Sequence, residues 1–223
     1  MRYYIESDGR IYLVKRDGVH DLPEPDEVPF QVHRIAPLAT EPETWFCIPV
    51  LDRHPHEWPQ KDRVSGRNDV SPLVRCAVHA SMPRVVVEAI CLRDDEILLV
   101  KGSRGLNKDR WSLPGGFLQF GETPESGLLR EISEELGVDA SILRFLSAEA
   151  KVGPVSRLQW VMLFYEASLH SQPKPDPDEI AEARYIRTSE ATQYLHDPIM
   201  ARIVLSCRSD GARTTGASSQ PTA

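Results

Sequence analysis

The hydrophobic and polar positions from residue 83 onward follow strand and helix periods in the order typical of an α/β domain. Branched apolar residues fill 84–92 and 96–101, and the polar residues between these runs predict a turn that joins two strands. An approach to a double glycine at 111–117 is also strand-like. Further strands are predicted at 142–150, 158–168 and 183–186.

Two short helices are predicted near the end of the chain. One covers residues 189–195 with Ser189 as its N-cap, and the other covers 198–207 with Asp197 as N-cap and Pro198 in the first turn. Residues 208–223 are polar and of low complexity, which predicts a disordered tail.

The N-terminal part has a different pattern. Two β-rich segments, 2–6 and 11–16, flank a Ser-Asp-Gly-Arg turn and predict a hairpin. Residues 20–75 contain many prolines and are predicted to be irregular, apart from an apolar strand at 45–51. Residues 1–80 are therefore interpreted as a small β-rich extension of unknown role, with dimerisation or a substrate lid as hypotheses.

An amphipathic helix between the strands carries the first chemical signal. Glu131, Glu134 and Glu135 are spaced i, i+3 and i+4, so the three carboxylates crowd one helix face. The opposite face can be covered by Leu128, Leu129, Ile132 and Leu136. A solvated acidic face would explain this pattern, and so would a site for magnesium or manganese, which prefer oxygen ligands.

The spacing upstream of the helix favours the metal site. Residues 116–138 read GFLQFGETPESGLLREISEELGV, in which Gly116 is followed after five residues by Glu122 and after seven more by Arg130 and Glu131. This stretch resembles the Nudix box of the Nudix hydrolase superfamily. The resemblance covers roughly residues 83–205 and implies an α/β/α sandwich with a mixed sheet. The implied domains are a β-rich extension at 1–80, a Nudix domain at 81–207 and the tail at 208–223.

The resemblance also implies roles for the matching residues. Glu131, Glu134 and Glu135 would bind catalytic divalent metals, usually Mg2+, with Mn2+ as the alternative. Gly115 would add its backbone carbonyl to the metal ligands, and Arg130 would hold Glu131 in orientation. Glu122 would support the metal shell, while Gly116 and Gly137 would allow loop geometry that a side chain obstructs.

Members of this family hydrolyse a nucleoside diphosphate linked to another group, so a small nucleotide substrate is expected. Pro154 lies sixteen residues after Val138, and a proline there is associated with ADP-ribose pyrophosphatases of the family, which favours ADP-ribose. The alternatives are a nucleoside triphosphate or nucleotide-sugar pyrophosphatase, or a non-catalytic nucleotide sensor.

The sequence gives weaker signals for the basic side chains that would bind substrate and for the general base. Arg104, Lys108 and Arg110 lie in a loop before the box and could meet phosphates, or could form a solvated basic loop. Glu179 is the first candidate for the base because many relatives place a glutamate before the last core strand. Glu182 and Glu131 remain alternatives.

Composition limits the remaining function classes. The chain has 223 residues, 41% of them hydrophobic, and a net charge of -7, which argues against a general nucleic-acid binder. Four scattered cysteines form no CxxC pair and are expected to be reduced thiols. No apolar run approaches the roughly 20 residues of a membrane span, and the first ten residues lack the apolar segment of a signal peptide. A cytoplasmic location without membrane association is expected, and homodimerisation is a hypothesis.

Overall fold

A computed structural model describes residues 1–64 and 66–211 and divides the chain into two compact units. The first unit comprises Met1–Arg84 together with Ala150–Trp160. The second comprises Val85–Glu149 and the described residues from Val161 onward. Within the described residues, no helix combines the length and the apolar character needed to cross a membrane.

The first unit is built on a four-stranded sheet of order β2-β1-β6-β5 and a two-stranded sheet of β3 and β4. The predicted N-terminal hairpin is present, since β1 and β2 pair antiparallel, but β1 also pairs parallel with β6. The strands are β1 (Arg2–Ser7), β2 (Arg10–Tyr12), β3 (Val14–Arg16), β4 (Val19–Asp21), β5 (Val32–Leu38) and β6 (Thr44–Pro49).

Two helices interrupt the region that was predicted to be irregular, which is a correction to the sequence prediction. They are α1 (Lys61–Val64) and α2 (Pro72–Ser81). In α2, the N-cap Ser71 hydroxyl accepts the Val74 N–H at 3.3 Å. Val74, Ala77 and Val78 follow helical spacing, and all three are buried in the core of this unit. Because the helix is amphipathic, its signal was present in the sequence.

The second unit contains two four-stranded arrangements. One sheet has the order β10-β9-β14, with β8 paired to β9, and the other has the order β11-β7-β13-β12. The strands are β7 (Arg84–Ile90), β8 (Leu92–Arg93), β9 (Glu96–Gly102), β10 (Trp111–Ser112), β11 (Gly115–Phe117), β12 (Ala140–Val152), β13 (Gln159–Leu169) and β14 (Ile180–Arg187). The mixed α/β arrangement and the β-rich N-terminal part confirm the predicted fold class.

The strand-like approach to the double glycine is two strands rather than one. Trp111–Ser112 pairs with β9 in one sheet, while Gly115–Phe117 pairs with β7 in the other. The chain changes sheets at Leu113 and Pro114, where proline has no N–H to donate to a ladder. This change of sheet brings the backbone at Gly115 next to the long helix of the unit.

That helix is α3 (Pro124–Leu136), and its apolar face packs into the core of the second unit. Leu128, Ile132 and Leu136 are fully buried there, as the amphipathic pattern predicts. Burying each of these side chains contributes roughly 1.5–3 kcal/mol. The acidic face of the helix therefore has a fixed direction relative to its own unit.

The last elements are α4 (Thr188–Ala191) and α5 (Pro198–Gly211). The prediction for the first was wrong in its cap and its length: the helix begins at Thr188, with Arg187 as an N-cap that makes no side-chain capping bond, and it ends at Ala191 rather than at residue 195. The second agrees with its prediction, since the Asp197 carboxylate accepts the Ile199 N–H at 2.9 Å. It continues to Gly211, four residues into the predicted tail, and residues 212–223 lie outside the described residues.

Candidate active site

Both ends of α3 are fixed by local capping. The Thr123 hydroxyl accepts the Ser126 N–H at 3.2 Å, and Pro124 occupies the first turn. At the other end Gly137 adopts the left-handed conformation with φ 61°, and its N–H bonds to the Ser133 carbonyl at 3.0 Å. A side chain at Gly137 would also place its Cβ 2.8 Å from the Lys174 carbonyl oxygen.

Gly116 leaves room for the first acidic residue of the helix. A Cβ at this position would lie 2.6 Å from the Glu131 carboxyl carbon, a distance that no real contact tolerates. The carboxylate therefore approaches the backbone of β11 more closely than any other residue at 116 would allow. Because the nearest atoms belong to the end of the flexible Glu131 side chain, a larger residue at 116 would displace this carboxylate rather than the backbone.

Arg130 is the centre of a network that joins the loop to the helix. Its Nε donates to Glu122 Oε1 at 2.6 Å, and its Nη1 donates to Glu131 Oε1 and to Glu134 Oε2, each at 2.8 Å. Its Nη2 donates to the Phe117 carbonyl at 2.9 Å and to Glu122 Oε2 at 3.0 Å. The resemblance implied contact with Glu131 alone, so the structure gives this arginine a wider role.

The same network sets the charge state of the loop carboxylate. The Arg130 guanidinium, followed by the Gln119 N–H at 2.8 Å, lowers the pKa of Glu122 to about 2. Glu122 is therefore ionised at neutral pH and paired with Arg130 in a two-bond fork. This pair ties the loop to the middle of α3.

Glu135 lies in the least solvated position of the three helix carboxylates. Burial is the main cause that raises its pKa to about 8, and Glu131 and Glu179 add repulsion, against a stabilising 2.9 Å bond from the Gly115 N–H. Burial also raises the pKa of Glu131, and Arg130 opposes that rise. Two desolvated carboxyls that repel each other would both be stabilised in their charged form by a cation.

The donor set therefore fits a hard divalent cation. The carboxyls of Glu131 and Glu135 offer oxygen ligands, and Glu134 stands one turn from Glu131 on the exposed side. In the part of the chain described, no three acidic, histidine or cysteine side chains already converge as a coordination shell. Arg130 pairs with the carboxylates of Glu131 and Glu134, and the Gly115 N–H donates to that of Glu135.

Glu179 joins the same site from the other sheet of the second unit. Its charge raises the pKa of both Glu131 and Glu135, so it lies within electrostatic reach of both. Its backbone carbonyl accepts the Ser103 N–H at 2.9 Å, and its carboxylate is ion-paired with Arg104. Glu182, the other loop candidate, instead pairs with Arg184, its neighbour on β14.

The remaining predicted substrate residues are exposed. Lys108 and Arg110 lie at the end of the short 3-10 turn Gly105–Asn107, and within the described residues neither forms an ion pair. Pro154 is exposed in the turn that belongs to the first unit, so its predicted role stays a prediction.

Sequence reasoning missed two contacts of this site. The Arg104–Glu179 pair joins residues 75 positions apart, and no local pattern signals it. The Phe117 carbonyl as an acceptor for Arg130 was also missed, because backbone acceptors leave no trace in side-chain spacing. The Arg130–Glu134 contact has i, i+4 spacing and could have been predicted.

Known proteins resemble this chain in sequence and in fold. A family model described as the NUDIX domain matches residues 82–207. The chain is 45% identical over 56 residues to an ADP-ribose pyrophosphatase of Methanocaldococcus jannaschii, covering 25% of this chain and 33% of that protein. It is 32% identical over 133 residues to diphosphoinositol polyphosphate phosphohydrolase 3-alpha of Homo sapiens, covering 58% and 79% respectively. A solved NUDIX hydrolase from Nitrosomonas europaea matches with a TM-score of 0.52 at 20% identity, covering 58% of this chain and 90% of that one.

The chain therefore belongs to the Nudix family, as the box at 116–138 predicted. Nudix hydrolases generally use divalent metal ions, which agrees with the donor set of α3. The alignments span about a third of the archaeal relative and about four fifths of the human one. The solved structure supports the shared fold alone.

Proposed function

We propose that this protein is a metal-dependent pyrophosphohydrolase that cleaves the diphosphate of a nucleoside diphosphate linked to another group, with ADP-ribose as the favoured substrate. The observation that carries the proposal is that Glu131 and Glu135 are largely withdrawn from solvent on one helix, with Glu179 within electrostatic reach of both. Burial and neighbouring carboxylates raise the pKa of Glu131 and Glu135, so their charged forms are unfavourable without a cation. Both residues lie on the Nudix box, where a bound cation would serve the hydrolysis.

Glu131, Glu134 and Glu135 would hold the divalent cation, with Mg2+ proposed and Mn2+ as the alternative, and the Gly115 carbonyl is proposed as a further ligand. Bound there, the cation neutralises phosphate oxygens and lowers the pKa of water. Arg130 orients Glu131 and Glu134 through the bonds described above, and these bonds restrict the movement of the two carboxylates.

The groups of the chain itself would bind the substrate and move the proton. Glu179 is proposed as the general base because it lies close to the helix carboxylates without being part of their helix. Arg104, Lys108 and Arg110 are proposed to bind the diphosphate as it enters, since guanidinium groups bind phosphate oxygens with two bonds and the lysine ammonium binds them as a point charge. Glu131 is the alternative base.

The substrate preference has weaker support than the chemistry. The archaeal relative with 45% identity over 56 residues is named an ADP-ribose pyrophosphatase, and Pro154 stands at the position associated with that group. The human relative is named for a different diphosphate, carried on an inositol polyphosphate. Both names describe hydrolysis of a diphosphate, so the reaction is proposed more broadly than the substrate.

The testing experiment is a chromatographic screen of products formed by the full chain, first with magnesium and then with manganese. The panel contains ADP-ribose, NADH, diadenosine polyphosphates, nucleotide sugars, diphosphoinositol polyphosphates, coenzyme A and nucleoside triphosphates. AMP and ribose 5-phosphate formed from ADP-ribose, and abolished by a chelator, are the expected result. The Glu135→Gln variant serves as the blank for contaminating hydrolases.

Other outcomes separate the parts of the proposal. Turnover of another panel member would keep the hydrolase assignment and replace the substrate. Tight binding of one nucleotide without turnover would overturn the assignment and favour the nucleotide sensor.

The homodimer predicted from the unassigned N-terminal residues stays a prediction. Light scattering of the full chain at several concentrations measures its mass directly. A mass near twice 25.1 kDa would support a dimer, and a mass near 25.1 kDa at every concentration would reject it.

A further inference from the structure

A cavity of about 390 Å³, open to solvent, lies at the surface of the first unit and is lined in part by its short helix α1. Its size is within the range of small-molecule sites. None of the described residues that line this cavity carries a carboxylate, although the whole chain carries a net charge of -7. The lining residues are Arg10, Pro59, Gln60, Arg63, Val64 and Arg67.

Backbone hydrogen bonds fix the walls of the cavity. The Ile11 N–H donates to the Pro59 carbonyl at 3.0 Å, and the Lys61 N–H donates to the Gly9 carbonyl at 2.9 Å. These bonds tie the start of β2 to the segment that leads into α1. Val64 is fully buried and anchors α1 in the core of the unit.

The three arginines that line the cavity differ in whether a carboxylate compensates their charge. Arg67 is neutralised by a fork with Asp69, at 2.8 Å from Nε and 2.6 Å from Nη2. Arg10 donates through Nη1 to the Trp58 carbonyl at 2.5 Å, which orients the guanidinium and leaves its charge uncompensated. Among the residues that the structure describes, neither Arg10 nor Arg63 forms an ion pair.

The lining therefore combines two uncompensated guanidinium charges with a neutral amide from Gln60. A cation would be repelled, and an apolar ligand would leave the arginine donors unpaired. A phosphate group satisfies this set, because its oxygens accept two bonds from each guanidinium and its double charge matches two arginines. Arg67 keeps donor capacity on its outer nitrogen while Asp69 holds its position.

We infer that this cavity binds the phosphate group of a small phosphorylated molecule, at a site formed entirely by the first unit. The inference does not depend on the proposed hydrolase activity, since it uses none of the residues of α3. Inorganic phosphate and a sugar phosphate offer the same chemistry, and the experiment distinguishes them.

The test is isothermal titration calorimetry of the full chain with inorganic phosphate, pyrophosphate and ribose 5-phosphate, with and without magnesium. Binding of at least one of them in the presence of chelator is expected, with affinity falling as salt rises. Arg63→Glu should weaken that binding at least about tenfold, because it reverses one of the two uncompensated charges. Arg53→Glu is the matched control, since it makes the same charge change at an exposed arginine outside the lining.

The comparison between the two variants decides the outcome. A loss specific to Arg63→Glu supports the site, and the tightest ligand shows whether it takes free phosphate or a phosphate ester. Equal losses in both variants would show general charge attraction and overturn the inference, as would no binding of any ligand by the wild-type chain. Arg63→Gln, which removes the charge without reversing it, gives the same comparison if the reversed charge prevents folding.

Discussion

The Arg104 guanidinium is ion-paired with the Glu179 carboxylate, although 75 positions separate the two residues in the chain. The backbone reinforces this contact, because the Ser103 N–H donates to the Glu179 carbonyl at 2.9 Å. The arginine proposed to bind phosphate and the carboxylate proposed as the base are therefore ion-paired with each other in the absence of substrate. A diphosphate would compete with Glu179 for Arg104 and leave the carboxylate free to accept a proton.

Replacing Arg104 tests this competition. Arg104→Gln should raise KM about tenfold, because one guanidinium contact to phosphate is lost, while kcat changes less than about threefold. Steady-state kinetics on the substrate identified by the panel measures both constants. Arg144→Gln removes a similar exposed pair with Glu166, whose bond is 2.7 Å long, and should change neither. A fall in kcat at unchanged KM would instead assign Arg104 to positioning Glu179.

Glu135→Gln should reduce turnover at least about 100-fold, because one oxygen ligand of the proposed cation loses its charge. The fold should survive, since the glutamine carbonyl can still accept the Gly115 N–H. Magnesium gives a second readout: at about 100 times its Kd it should stabilise the wild type by roughly 2.7 kcal/mol, and the variant by much less. Turnover assays and denaturant unfolding with and without magnesium measure the two effects. The matched control is Glu190→Gln at an exposed position of α4, and equal behaviour of the two variants would contradict the ligand role.

Arg130→Lys keeps the positive charge but loses the planar fork that reaches Glu122, Glu131 and the Phe117 carbonyl together. The free energy of unfolding should fall by about 1–3 kcal/mol, from lost bonds to charged groups. Turnover should fall as well, because the ligand carboxylates lose their orientation. Arg144→Lys, at an exposed arginine that pairs with Glu166, should change the free energy of unfolding by less than about 0.5 kcal/mol. Similar losses in both variants would show that the network is no stronger than a surface pair.

Glu122 gives a prediction for pH. Its pKa in the folded protein is lowered from an ordinary value of 4.5 to about 2, chiefly by Arg130. A depressed pKa stabilises the fold above the unfolded value, and this stabilisation disappears as pH falls toward the folded value. Glu122→Gln should therefore be less stable than the wild type at neutral pH, and the difference should shrink between about pH 4.5 and pH 2. Urea unfolding of both proteins in chelator over this range is the measurement, and a difference independent of pH would reject the assignment.

Local patterns were sufficient to predict the helix of the box and the side it buries. The apolar positions Leu128, Ile132 and Leu136 recur at helical spacing, and all three are fully buried. The carboxylates on the other face were predicted from the same period. The predicted strand positions also agree with the structure to within a few residues, because branched apolar runs mark buried strands.

Contacts between distant segments could not be predicted in the same way. The change of sheet at Leu113 and Pro114 depends on which strands lie next to this segment, and the tertiary fold of the whole unit determines those neighbours. Strand β5 was missed because it is an edge strand in which only Leu38 is buried, so its sequence lacks a buried alternation. The Arg104–Glu179 pair needs the register of β9 against β14 before the two residues meet.

The Gly115 N–H donates to the Glu135 carboxylate, and Gly116 lies close to the Glu131 carboxylate. Both contacts depend on the number of residues between β11 and the two glutamates. Each residue added to a helix rotates everything beyond it by about 100°. One residue inserted between Thr123 and Arg130 would therefore swing the carboxylates away from β11 while leaving every side chain of the site present. We therefore expect this segment to tolerate many substitutions but no change in length. Insertions there should abolish activity more reliably than substitutions.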